Sequence, residues 1–420
     1  MYQKTTLDNG LRVITETLPH TRSVSICIFI GVGSRYETEP QAGVSHFIEH
    51  LCFKGTAKRP SAKEISEAIE GVGGILNGGT DKELSLYWCK VAQPHFHLAL
   101  DVLADILLYS KFDPKDIESE RQVIIEEINM VKDSPSQLAD MLIDELLWPN
   151  HPLGRDTAGS KQSVAAISRE MMLNYLAHHY LPGNTAVAIA GAGQHPEMVT
   201  AVEQALGNWT NPKPCPGYSA YKEQKFPQLR IERKETEQAH LCLALSGLSL
   251  FHPKRFTLDL LNVILGEGMS SRLFTEIRDR LGLAYSIHSY IDHFLDTGSI
   301  TIYAGVELKK LQVAIKAILE QLSQLKEIVP ETELSKAKEL SKGRLLLRME
   351  DSRSVAGWMG GQEILTAKIL SVDQVMSIID AITAEELRQL ARELLVTKQL
   401  RLAVVGPVAE DEPLAELLKL

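Results

Sequence analysis

The sequence predicts an α+β fold in two similar domains, each a mostly antiparallel sheet packed with helices. Three observations carry this expectation. The chain has 420 residues, and at roughly 100–200 residues per domain two domains are expected. A stretch holding Pro212, Pro214, Pro216, Gly217 and Pro227, with few large apolar residues, marks a linker. The order of strand and helix signals before that stretch recurs after it. The expected division is 1–210, a linker over 211–228, and 229–420.

The first half opens with a hairpin signal, Leu7 to Ile14 around Asn9-Gly10. Ser23 to Val32 is β-branched and apolar, the pattern of a buried strand. Helical spacing runs from Val44 to about Phe53. Ser61 to Val72 forms a second helix, with Ser61 as cap, Glu64 three residues on, and Gly71 to Gly74 as the stop. Leu84 to Val91 alternates as a strand, and Phe96–Tyr109 and Pro114–Val131 are helical. Asp113 caps the latter, with Pro114 at its first position. Helices over 136–148 and 168–180 and a short strand over Asn184–Ala190 complete the half.

In the second half, Ala239–Leu245 is a strand, and Arg255–Leu265 and Ser270–Arg280 are helices. Ala284–Ile291 and Ser299–Gly305 are strands, and long helices cover Leu308–Ile328 and Glu331–Arg348. Leu400–Val405 closes the half as a strand. The repeat is one of pattern rather than of residue identity.

Composition narrows the function. The net charge of -10 opposes general nucleic-acid binding, which needs a concentrated basic surface. The five cysteines Cys27, Cys52, Cys89, Cys215 and Cys242 are scattered and form no close pair, which fits a reducing compartment. The N-terminal residues lack the charged and apolar regions of a secretory signal, and no apolar run reaches about 18 residues. A cytoplasmic protein without a membrane segment is expected.

His46-Phe47-Ile48-Glu49-His50 concentrates the chemistry. Residues four apart on a helix lie one turn apart on one face, so His46 and His50 can reach one ion. Glu49 lies at the edge of that face, placed to bind a water rather than the metal. A zinc-bound water has its pKa lowered to about 7, and a nearby carboxylate can take its proton. The order His-x-x-Glu-His is the inverted zinc-peptidase motif. Against this stands a surface helix with chance His and Glu residues. Cys52 invites a ligand reading too, against that of a small buried apolar side chain.

A catalytic zinc needs a third protein ligand and one open position. The helix near 114–131 offers Glu118, Glu120, Glu126 and Glu127. Seven residues at about 100° each return to within ~20° of the start, so Glu120 and Glu127 share a stripe and Glu126 faces elsewhere. One stripe carboxylate could ligate while the other orients His46 or His50. The competing reading for any single Glu is a solvated helix face.

These residues resemble the pitrilysin and mitochondrial processing peptidase family over nearly the whole chain. Gly43 to Leu51, followed by Phe53-Lys54-Gly55-Thr56, is similar to the family's metal helix, and Glu120 to Ile128 to its second metal helix. The resemblance implies His46, His50 and Glu127 as ligands of one Zn2+ per chain, Glu120 as the outer carboxylate, and Glu49 as general base. Asn77-Gly78-Gly79-Thr80-Asp81-Lys82-Glu83 resembles the edge strand on which a substrate peptide adds as a β-strand. Asn77, Gly78 and Gly79 are then substrate contacts. The two glycines depart from the usual Ala-type and larger residues, and an ordinary turn is the alternative. Gly266 to Phe274 and Arg278 to Ser286 are similar to the C-terminal signature, in which Arg278 and Tyr285 hold the substrate backbone and Tyr285 could bind the oxyanion.

The resemblance further implies a processing-peptidase-like dimer, with an identical or a similar chain, whose four domains enclose a chamber admitting short or unfolded peptides. The second domain then lacks a metal site and contributes substrate-binding residues. Acidic residues that bind arginine in some relatives are replaced by Gln137 and Met141, with Asp140 and Asp144 nearby. The function expected is that of a zinc metalloendopeptidase with its water activated by Glu49. The rival is a non-catalytic or partner-dependent assembly subunit. A structural zinc site is disfavoured because only three protein ligands are evident.

Overall fold

The computed structural model describes residues 2–210, 213–214, 217–222, 227–409 and 412–420. Cys215, Pro212 and Pro216 of the expected linker lie outside the described residues. Two sheets are each built with helices, as the patterning implies. The first contains β1 (Gln3–Thr6), β2 (Arg12–Thr17), β3 (Ser23–Ile30), β4 (Ile75–Thr80), β5 (Ser85–Ala92) and β6 (Thr185–Gly191). The second contains β7 (Leu229–Arg233), β8 (Gln238–Ser246), β9 (Ala284–His293), β10 (Gly298–Glu307) and β11 (Arg401–Gly406). The first eight helices are α1 (Val44–Cys52), α2 (Ala62–Glu70), α3 (Phe96–Tyr109), α4 (Pro114–Asp133), α5 (Pro135–Leu147), α6 (Lys161–Ala166), α7 (Arg169–His179) and α8 (His195–Leu206). The rest are α9 (Arg255–Gly266), α10 (Leu311–Glu327), α11 (Glu331–Arg348), α12 (Ser352–Thr366), α13 (Val372–Ala381) and α14 (Ala384–Leu394).

The first sheet runs β1-β2-β6-β3-β5-β4, antiparallel except for the parallel pair β2 and β6. The second runs β7-β11-β8-β10-β9, antiparallel except for β7 and β11. The expected hairpin at Asn9-Gly10 joins β1 to β2, with Thr5 opposite Val13. The expected cap of α2 is present, Ser61 accepting from the Glu64 N–H at 3.3 Å. The expected helix over Ser270–Arg280 is present from Arg272, with π-helical register over Phe274–Arg280. Leu308–Lys310 is a single 3₁₀ turn ahead of α10.

The chain divides into two compact units, but not by one cut at 211–228. Unit 1 comprises Met1–Ile128, Asp156–Ser219 and Leu346–Ser371; unit 2 comprises Asn129–Arg155, Ala220–Leu345 and Val372–Leu420. The physical reason lies in α5 and α12. Leu138, Leu142, Ile143 and Leu146 of α5 pack with Cys242, Ala244, Ala403 and Val405 of β8 and β11. Val355, Ala356 and Met359 of α12 pack with Cys27 and Phe29 of β3 and Ala186 and Ala188 of β6. Each sheet is thus covered on one face by a helix from the other half of the sequence. The opposite face of the first sheet carries the main core of unit 1, where Val24, Ile26, Ile28 and Ile30 meet Phe47 and Ile48 of α1 and Leu100 and Leu103 of α3.

Candidate metal centre

Helix α1 is placed by its first residues. Gly43 precedes it with φ of 93°, a conformation that favours glycine, and a Cβ there would lie 2.4 Å from the Ala158 carbonyl oxygen. No side chain at Gly43 can cap the helix. The carboxylate of buried Glu37 does so instead, accepting the N–H groups of Gly43 and Ser45 at 2.8 Å each. This satisfies two of the orphan donors and puts negative charge at the positive end of the helix. Phe47, Ile48 and Leu51 then bury the opposite face, which leaves His46, Glu49 and His50 half-buried on the other.

Helix α4 runs beside it. Arg121 of α4 lies over the Phe47 ring at 5.4 Å and donates to the Ile167 carbonyl at 3.0 Å and to that of Val164. Ile124 and Ile128 of α4 join the core. The expected stripe is realised: Glu120 and Glu127 both face α1, while Glu126 is exposed.

The three expected ligands converge. His46 Nε2 and His50 Nε2 are 3.3 Å apart, and Glu127 Oε2 lies 3.8 Å from the first and 3.6 Å from the second. Atoms so spaced are close enough for a single ion to reach all three. Among the described residues these three form the one cluster of metal-ligand type. Two imidazoles and one carboxylate suit zinc with an open position, so the donor set fits the ion that the motif implies. Burial, with His50 close by, pushes the His46 imidazole down to about 4, so it is neutral and able to ligate near neutral pH.

Around the ligands the roles separate. Glu120, 4% exposed, accepts from His50 Nδ1 at 3.0 Å and is paired with Lys54. With its proton on Nδ1 in that bond, the His50 ring would keep the Nε2 lone pair available to an ion. His46 Nδ1 has no hydrogen-bond partner among the described residues. Glu49 does not join the ligand cluster. Burial pushes its carboxyl above the usual range, opposed by the hydrogen bond from Thr80 at 2.6 Å.

Cys52 is fully buried, and burial pushes its thiol up to about 12. It behaves as the small core residue and not as a ligand. Asn77, Gly78 and Gly79 lie on β4, the last strand of the first sheet, so the segment is an edge strand and not a turn. Gly78 packs directly on the site: a Cβ there would lie 3.2 Å from Glu49 Cγ and 2.9 Å from the Phe53 ring. Arg278 and Tyr285 belong to unit 2. Arg278 stands 5.1 Å from the Tyr285 ring and 4.6 Å from that of Phe274, and Tyr285 is 75% exposed. In the same unit Asp140 accepts from the Tyr290 hydroxyl at 2.9 Å and the Cys242 thiol at 3.1 Å, so its carboxylate is engaged on its own sheet.

Glu37, Lys54 and Thr80 escaped the sequence reading as functional positions. Lys54 and Thr80 lie inside the motifs quoted above, but nothing in their spacing shows which carboxylate each meets. Glu37 carries no local signal, because the turn between it and α1 decides where its side chain points.

Fold and site together give a two-sheet α+β protein with an inverted His-x-x-Glu-His helix and a carboxylate from a second helix, a donor set able to hold a metal ion. The chain belongs to the pitrilysin or M16 peptidase family. Residues 12–161 match the insulinase (peptidase family M16) model, and residues 166–341 match that of the peptidase M16 inactive domain. The chain is 36% identical to the "uncharacterized zinc protease YmxG" of Bacillus subtilis, over 97% of this chain and 98% of that one. It is 36% identical to the "uncharacterized zinc protease ML0855" of Mycobacterium leprae, over 99% and 94% of the two chains. Among solved structures, a protease from Helicobacter pylori shares the fold with a TM-score of 0.91 at 22% identity, covering 97% of this chain and 99% of that one. A peptidase M16 inactive domain from Pseudomonas fluorescens gives 0.90 at 18%, covering 98% and 99%. Among the described residues no helix is long and apolar enough to cross a membrane.

Proposed function

We propose that this protein is a zinc metalloendopeptidase acting on short or unfolded peptides. The observation that carries the reading is the convergence of His46 Nε2, His50 Nε2 and Glu127 Oε2, with Glu49 beside them but outside the ligand set. The zinc-protease names of its relatives support it. When bound, the ion supplies Lewis acidity toward a water and a peptide carbonyl. The Glu49 carboxylate takes the proton of the attacking water and hands it to the leaving amine. Its raised pKa suits a group that must hold a proton between those steps. Glu120 keeps His50 in one tautomer and orientation. β4, the edge strand that carries Asn77, Gly78 and Gly79, is where an extended peptide of any sequence adds, taking up the Gly78 backbone, whose N–H donates to Asn77 Oδ1 at 2.8 Å in the free strand. Arg278 and Tyr285 hold the peptide backbone, and Tyr285 donates to the developing oxyanion. A second copy, or a similar chain, completes the chamber in which cleavage occurs.

The test measures zinc content and cleavage of a quenched peptide by the purified protein. One zinc per chain is expected, with turnover that falls by roughly 10²–10⁴ in Glu49→Gln while the metal is retained. A protein that binds no zinc, or a Glu49→Gln variant as active as the parent, overturns the reading. Activity seen only with a different chain that supplies the site would favour an assembly subunit.

A further inference from the structure

We propose that Thr80 is a positioning residue for Glu49, so that the strand on which a peptide is laid also holds the base in place. The inference rests on the reading of Glu49 as base given above.

Thr80 Oγ1 donates to Glu49 Oε2 at 2.6 Å, the length of a charge-assisted O–H···O⁻ bond. A glutamate side chain has three rotatable torsions, and this bond, with the Thr80 backbone N–H acting on the same carboxylate, restricts how that carboxylate turns. The stem lies close to β4 as well, since a methyl group at Gly78 would crowd Glu49 Cγ at 3.2 Å and the Phe53 ring at 2.9 Å.

Thr80 is itself fixed. As a β-branched residue it has few χ1 choices. It ends β4, paired across the hairpin with Ser85. The residues that follow are bonded to the loop ahead of α1: Ser34 N–H donates to the Asp81 carbonyl at 3.1 Å and Arg35 N–H to that of Lys82 at 2.8 Å. The buried pair of Arg35 and Glu83, 2.5 Å apart, closes the same clamp, and Ser85 Oγ donates to the Val32 carbonyl at 2.9 Å. A hydroxyl set on so constrained a turn is a preorganised donor rather than a passing contact. The ordinary alternative is that Thr80 only satisfies a half-buried carboxylate and matters for stability alone.

The two readings separate on kinetics and on the zinc-free protein. Thr80→Val keeps the shape and removes the hydroxyl; Thr80→Ser keeps the hydroxyl. Thr80→Val should lower kcat roughly 10- to 100-fold, the scale of a misplaced catalytic group, with KM, zinc content and Tm near the parent's. Thr80→Ser should restore most of kcat, and in a Glu49→Gln background Thr80→Val should cost nothing further. In crystals of zinc-free Thr80→Val protein the Glu49 carboxylate should leave its parental position. Parental kcat in Thr80→Val, a Ser variant as poor as Val, or an unmoved Glu49 overturns the proposal. If the parent cleaves no peptide, the reading of the function fails, and the zinc-free crystals still decide whether Thr80 places Glu49.

Discussion

Zinc affinity should depend on Glu120, although it is not a ligand. In the parent its carboxylate is buried, accepts from His50 Nδ1 at 3.0 Å and holds Lys54. His46 has no equivalent partner among the described residues, so one outer carboxylate orients the imidazole pair. Glu120→Gln keeps an acceptor for the Nδ1 proton and removes the charge. A hydrogen bond to a charged group contributes about 1.5–3 kcal/mol against about 1 for a neutral one. The difference of about 1.4 kcal/mol corresponds to a tenfold weaker zinc Kd. Glu120→Ala removes the acceptor as well, and should weaken zinc about 100-fold, the upper end for an outer partner. The assay is competition for zinc against a chromophoric chelator at neutral pH, with circular dichroism to confirm that the fold is kept. A folded Glu120→Ala protein with the parent's Kd would refute the assignment of the orienting role to this residue.

Other substitutions test the remaining parts of the site. Glu127→Gln should lose zinc on dialysis while Glu126→Gln retains it, read as metal content by atomic absorption, since only Glu127 lies in the ligand cluster. Gly43→Ala combines a left-handed φ with a methyl group 2.4 Å from the Ala158 carbonyl. It should cost about 1–3 kcal/mol from backbone strain alone and lower Tm, with zinc affinity falling as α1 shifts. For pH, burial pushes His46 and His179 from 6.5 down to about 4 in the folded, zinc-free protein. Between those values the unfolded chain binds protons that the folded one does not, so stability falls as pH drops from 6.5 toward 4. Urea midpoints across that window should show it, with a shallower fall in His179→Gln; a parallel curve would count against the shift at His179.

Much of unit 1 was legible because its signals are local. The hairpin at Asn9-Gly10, the Ser61 cap, the Asp113-Pro114 start of α4 and the helical spacing of His46 and His50 each depend on residues a few positions apart. Glu120 and Glu127 could be set on one stripe by periodicity, but only their packing against α1 shows which is the ligand and which the outer partner. The tertiary decisions were hidden. Gly78 and Gly79 have the composition of a turn, yet pairing with Tyr87 and Leu86 of β5 makes them a strand. Phe274 to Arg280 carries an ordinary helical pattern, and its π-register shows in the Leu281 N–H bonding the Glu276 carbonyl five residues back. Thr80 and Glu37 gain their roles from chain reversals that periodicity does not encode.

The exchange of α5 and α12 is the largest departure from the expected organisation, and it makes a prediction of its own. All eight residues of β3 are at least half-buried, and seven are fully buried. A strand of that kind needs cover on both faces, and its sequence does not say what supplies it. One face is covered by helices of its own half; Cys27 and Phe29, on the other, meet Val355 and Met359 of α12. A polypeptide of residues 1–222 would leave that second face bare. Fully burying one large apolar side chain contributes about 1.5–3 kcal/mol, so Phe29, Val355 and Met359 together account for about 5–9 kcal/mol as an upper value. That is comparable with the whole stability of a typical domain, about 5–15 kcal/mol. The 1–222 polypeptide should therefore aggregate or lack a cooperative urea transition. Joining residues 346–371 to it through a flexible Gly/Ser segment should restore the transition. A 1–222 polypeptide that unfolds cooperatively by itself, with a midpoint near that of the joined form, would show that α12 is dispensable to unit 1, and the boundary at 211–228 would then stand as the true division of the chain.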